Sequence, residues 1–384
     1  MKLKVLPINI SRLDFLLEMF NWDREYLLNA LNTNRKRLYC EEDLFSGEIR
    51  LSTLKQIDNF FKVGVPFYME PDEISNKTAR SIFFRKTGLV DELSLGAKQR
   101  VLECERHYAY LQSLEDLSGH HISRILKTYT INDDPCIVAQ EISKLVEPPL
   151  VSRSTSKRDT LKVFISSLAE AGIYVYEFID RWNKTEKANI DGIFLSPGFI
   201  GLKRVSDANL FSREIFTLAH EFGHYLLNDE QAERVELENS SVQNSIEKWC
   251  DKFAFSYLLG SFLQEYKSLE DATSSNDYHH EFVDKVYSRT GLSKRAIFYS
   301  LLQDGKLSVS DYRLIKNDLE NVLELAKKKQ KERYESSNFI PAAKPIKSPL
   351  VLEIAEASYS SGVMNIVQFE SITGYELEHI KQNF

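Results

Sequence analysis

The segment Ser212–Asn228 carries His220-Glu221-Phe222-Gly223-His224 inside an apolar run that no proline interrupts. Phe216, Leu218, Ala219, Phe222, Leu226 and Leu227 recur there at helical spacing. Two imidazoles four residues apart stand one above the other on a helix, so both can reach a single cation. Glu221 follows the first histidine and sits off that axis, where its carboxylate can meet a water on the cation without becoming a ligand. Zinc held by three protein ligands, with one position open, lowers the pKa of such a water to about 7. A carboxylate beside it can take the proton as the water attacks a peptide carbonyl. The plainer reading of the pentapeptide is a charged helix face, and the apolar setting argues against it. Gly223 costs on the order of 1 kcal/mol against alanine in a helix, which suggests that another backbone or a metal shell comes close there.

A catalytic zinc wants a third ligand. The extended pattern with a further glycine and histidine is absent, because Leu227 and Glu230 occupy those places. Glu247 is the leading candidate, 247 − 224 = 23 positions after His224 and at the start of a second apolar helix, Ile246–Leu259. Cys250, Asp251, Ala254 and Leu258 share its face at helical spacing. Asp229, Glu230, Glu233, Glu236 and Glu238 compete from an acidic connector that reads as a solvated loop. For Glu247 itself, the alternative is an ordinary first-turn glutamate favoured by the helix dipole.

Thr217-Leu-Ala-His-Glu-Phe-Gly-His-Tyr-Leu-Leu, followed by Glu247-x-x-Cys-Asp-x-Phe-Ala-x-x-x-Leu-Leu, resembles the ImmA/IrrE-type metallopeptidases of bacteria and their mobile elements. The likeness spans residues 150–305 and is most specific at the two helices. It implies that His220, His224 and Glu247 hold Zn2+ and that Glu221 is the general base. The chain departs from the family pattern at four positions. Phe222 stands for the usual leucine, Asp251 for a common asparagine, Gly260 for a methionine-proline pair, and Asn228 for a further histidine.

At 384 residues the chain exceeds one ordinary core, so two or three domains are expected. A net charge of −7 argues against a broadly basic nucleic-acid binder and leaves room for a local basic patch. Cys40, Cys104, Cys136 and Cys250 are scattered without a C-x-x-C pair, which fits reduced thiols in a cytoplasmic protein. No signal-peptide pattern opens the chain and no membrane-spanning run is present.

The expected fold is α+β and predominantly helical. Residues 1–75 form a helical domain, with helices at Asp14–Phe20, Asp23–Leu31, Glu41–Phe45 and Leu51–Phe61. Ser52, Thr53 and Gln56 mark a cap at the start of the last. This order is similar to the XRE-type helix-turn-helix, which makes DNA a candidate partner through Arg35, Lys36 and Arg37. A degenerate unit used for protein docking is the alternative. Residues 76–149 form a helical connector, including Ala79–Arg85 and a helix at Ala97–Leu117. Residues 150–305 form a zincin-like domain in which the helix Asp159–Ala171 and the strand Ile173–Phe178 precede a hairpin, Gly192–Leu195 with Phe199–Leu202. That hairpin is the candidate sheet edge for an extended substrate. Glu281–Arg289 and Lys294–Gln303 form a second helix-turn-helix-like pair, read as packing on the core in preference to contacting DNA. His279 and His280 are expected to face water. Residues 306–384 form a helical C-terminal region with a proline-containing linker at 336–349.

These readings converge on a zinc-dependent endopeptidase with a protein substrate such as a repressor or antitoxin, as the resemblance implies. The rival is a DNA-binding regulator or antitoxin-like protein that uses the metallopeptidase fold as a sensor or docking platform.

Overall fold

Helical periodicity governs most of the chain, and the strands are few and short. The computed structural model describes residues 5–33, 35–72, 93–151, 156–179, 187–204, 211–229, 232–234, 245–335 and 345–374. They are mostly helical with two small sheets, an α+β arrangement. Among them no helix is long and apolar enough to cross a membrane. The chain divides into two compact units, residues 1–107 with 180–190, and residues 108–179 with 191–384. Ala79–Arg85 of the expected connector lies outside the described residues.

The first unit contains β1 (Val5–Pro7), α1 (Ile10–Met19), α2 (Arg24–Asn32), α3 (Glu41–Phe45), β2 (Glu48–Arg50), α4 (Leu51–Phe61) and α5 (Val65–Met69). The limits expected for α3 and α4 agree with those observed. The strands were not foreseen: β1 pairs antiparallel with β2, Leu6 opposite Ile49. The expected cap on α4 is absent, since Arg50 is the N-cap residue and no side chain closes the turn. Thr53 is instead buried and lies 3.2 Å from the Tyr39 hydroxyl. Leu13, Leu17, Phe20, Leu27, Ile57 and Phe61 fill the core of this unit. Arg35 donates to Gln56 and to the Tyr39 hydroxyl at 2.7 Å each, so this cation is already engaged within the fold. The boundary between the units falls within α6 (Leu95–Ser118).

In the second unit, α7 (Pro135–Ile142) and α8 (Lys157–Glu170) precede β3 (Tyr174–Phe178). Ser156 and Asp159 close the start of α8 as a capping box. β4 (Ile190–Leu195) and β5 (Phe199–Lys203) form the expected antiparallel hairpin, while β3 joins β5 in parallel. The four-stranded order is β3-β5-β4-β6, with β6 at Ala232–Arg234. This corrects the expected edge: the hairpin strands have partners on both sides, and β6, within the stretch expected to be a solvated loop, is the outer strand.

At the opposite margin Lys347 makes an isolated bridge to Tyr176 of β3. Beside it, Arg158 on α8 grips Glu177 on β3 with both guanidinium nitrogens, at 2.5 and 2.6 Å. The same guanidinium lies 3.5 Å from Glu214, and both carboxylate side chains are fully buried. Glu177 also accepts the backbone N–H of Ile346.

Candidate metal centre

Helices α9 (Phe211–Leu227) and α10 (Ser245–Leu259) lie side by side and carry the predicted site. Aromatic packing locks them together. On α10, Trp249, Phe253 and Tyr257 recur every four residues and stack in succession, with ring centroids 5.6 and 5.7 Å apart. Phe222 of α9 meets Phe253 and Tyr257 edge-on at 5.7 Å each. The glycine within the motif explains the tight crossing. A Cβ at Gly223 would stand 3.2 Å from Cα, Cβ and Sγ of Cys250, so a side chain here would push the helices apart by a few tenths of an ångström. The close approach that Gly223 suggested is thus to the Cα and side chain of Cys250 on the neighbouring helix.

This packing brings together the three predicted ligands. His220 Nε2 lies 3.1 Å from His224 Nε2 and 3.1 Å from Glu247 Oε2, and His224 Nε2 lies 3.5 Å from Glu247 Oε1. One donor atom from each residue falls within 4.8 Å of the others. Among the described residues this is the one such cluster of histidine, cysteine or acidic side chains. Asp229 is described and lies outside it. Glu230, Glu236, Glu238 and the side chain of Glu233 lie outside the described residues. His279 is not part of the cluster and sits 2.9 Å from the Glu270 carbonyl, while His280 packs edge-on against Phe298.

The donor set, two imidazoles and a carboxylate, fits a divalent metal such as zinc. His224 is fully buried, and burial pushes its pKa down despite hydrogen bonding to Glu247, so the imidazole stays neutral, the ligating form. Burial pushes the Glu247 carboxyl up, but the adjoining His220 and His224 rings outweigh it and hold the group well below the usual range. Glu247 is therefore an anion at neutral pH. Its side chain is 26% exposed while both histidines are sealed, so solvent reaches the cluster from the Glu247 side.

Asp251 has a role that the sequence reading missed. Its Oδ1 lies 2.9 Å from His220 Nδ1. An Nδ1–H donated to this carboxylate leaves Nε2 free to ligate and fixes the ring's orientation. The available signal was the spacing, since Asp251 follows Glu247 by one helical turn. Glu221 is fully buried on α9 and packs toward β4. Tyr225, expected to point away from the site, is buried beneath the Arg124 guanidinium, 3.9 Å from its ring centre.

The second helix-turn-helix-like pair, α11 (His280–Arg289) and α12 (Lys294–Gln303), belongs to the same core. Leu292, Ile297, Phe298 and Leu301 are buried in it, and Gly291 fits against Ile215 of α9. Lys294 pairs with Asp284 at 2.5 Å, and Arg295 lies 3.7 Å from Glu320. These helices thus pack on the core of the second unit.

No family model matches the chain, and no curated protein or solved structure is similar to it.

Proposed function

We propose that this protein is a zinc-dependent endopeptidase of ImmA/IrrE type. The observation that carries the reading is the convergence of His220, His224 and Glu247 within 4.8 Å, on helices that also hold Glu221 one residue from a ligand. Zinc at this cluster would supply a Lewis acid and a water acidic enough to lose its proton near neutral pH. The two imidazoles and the Glu247 carboxylate would hold the ion, and Asp251 holds the His220 ring. Glu221 takes the proton of the attacking water on a carboxylate oxygen and returns it to the leaving amide nitrogen. Its enclosure keeps the proton from exchanging with bulk solvent during that interval. The substrate class that fits is a protein, such as a repressor or antitoxin, whose cleavage controls gene expression in the bacterial cytoplasm.

The test is cleavage of candidate repressor proteins, chosen from neighbouring genes, by the purified chain. Cleavage is expected to stop after zinc is removed with a chelator and to return when zinc is restored. Cleavage that persists at full rate in the metal-free protein would refute the reading.

A further inference from the structure

Gly192 lies within β4, where a glycine normally weakens a strand unless something must approach closely. A Cβ built there would stand 2.5 Å from Glu221 Oε1, 2.7 Å from Glu221 Cγ and 2.8 Å from Thr217 Cγ2. No real Cβ survives at such distances, so the Glu221 side chain occupies the volume that any other residue at 192 would claim.

The surroundings hold both backbones in place, so the Glu221 side chain is what has to move. Arg213, Thr217 and Glu221 are successive turns of one face of α9, and that face lies along β4. Arg213 is ion-paired with Asp191, the residue before Gly192, and Lys203 Nζ stands 4.0 Å from the same carboxylate. Gly192 is opposite Leu202 of β5, and β6 borders β4 on its other side. The strand is therefore pinned to the helix next to the glycine and held within the sheet on both flanks. Glu221 is itself fully buried.

We infer that Gly192 is a positioning residue for Glu221. Its missing side chain is the slot that holds the carboxylate at a fixed place one residue from His220. The catalytic consequence rests on the endopeptidase reading, whereas the packing relation stands without it. A side chain at 192 drives the carboxylate out of its slot and leaves the three metal donors on α9 and α10 where they are.

The experiment compares Gly192→Ala in two backgrounds, wild type and Glu221→Ala, by thermal melting of the full chain. It is joined to zinc analysis and to cleavage kinetics of the Gly192→Ala protein. Gly192→Ala is expected to lower the melting temperature of the wild type, and to lower that of the Glu221→Ala protein by about half as much or less, because the clash with Oε1 and Cγ is gone. The Gly192→Ala protein is expected to keep its zinc and to lose about a hundredfold in kcat with little change in KM, the cost of a misplaced catalytic group. Equal melting losses in both backgrounds would overturn the inference, as would undiminished kcat. Zinc-loaded wild type that cleaves nothing would instead refute the endopeptidase reading, and the melting comparison would still decide the relation between Gly192 and Glu221.

Discussion

Replacing Glu221 by glutamine is expected to leave zinc binding intact and to reduce cleavage by about 10²–10⁴-fold, the usual worth of a positioned general base. Glutamine keeps the shape that fits against Gly192 and Thr217 and cannot accept the proton. The three donors that converge are His220 Nε2, His224 Nε2 and a Glu247 oxygen, none of which the substitution touches. Metal content and turnover should therefore separate in this variant. Zinc lost together with activity would move Glu221 into the ligand set, and full turnover would remove it from the chemistry.

Replacing Arg158 by methionine is expected to destabilise the protein by about 3 kcal/mol, the lower end of the cost of breaking a buried ion pair. The guanidinium holds Glu177 at 2.5 and 2.6 Å and stands 3.5 Å from Glu214, and both carboxylate side chains are fully buried. Methionine keeps the apolar stem and leaves both anions to the Arg204 guanidinium, which interacts with each of them. Adding Glu177→Gln removes one of the two anions, still offers an acceptor to the Ile346 N–H, and should recover part of the loss. Urea unfolding at constant slope measures both changes. A loss below about 1 kcal/mol, typical of exposed pairs, would contradict this account of the pair.

The two helices of the site were legible because their apolar spacing and ligand spacing are local. Phe222 announces one face of a single helix and His220 with His224 another, and Glu247 stands at the start of the next apolar run. What escaped was set by pairing across the chain. β1 and β2 are three residues each, too short for an alternating pattern, and they exist because they meet each other. β6 lies in an acidic stretch whose composition reads as loop, and the border of β4 makes it a strand. The consequences of Gly192 and Asp251 are of the same kind. A glycine in a strand advertises a close approach without naming Glu221 as the visitor, and an aspartate on an exposed helix turn does not name His220. The helix-turn-helix-like pair near residue 290 has the right spacing for DNA contact, but its cations face acids of the same unit.

The most direct measurement is zinc-edge X-ray absorption of the zinc-loaded protein. The account predicts one ion with two imidazole nitrogens at about 2.0–2.1 Å, oxygen at about 2.0–2.2 Å and no sulfur. Substituting Glu247 by alanine should remove one oxygen and weaken retention of the metal. A spectrum without histidine scattering, or with sulfur at about 2.3 Å from a thiolate such as neighbouring Cys250, would contradict it.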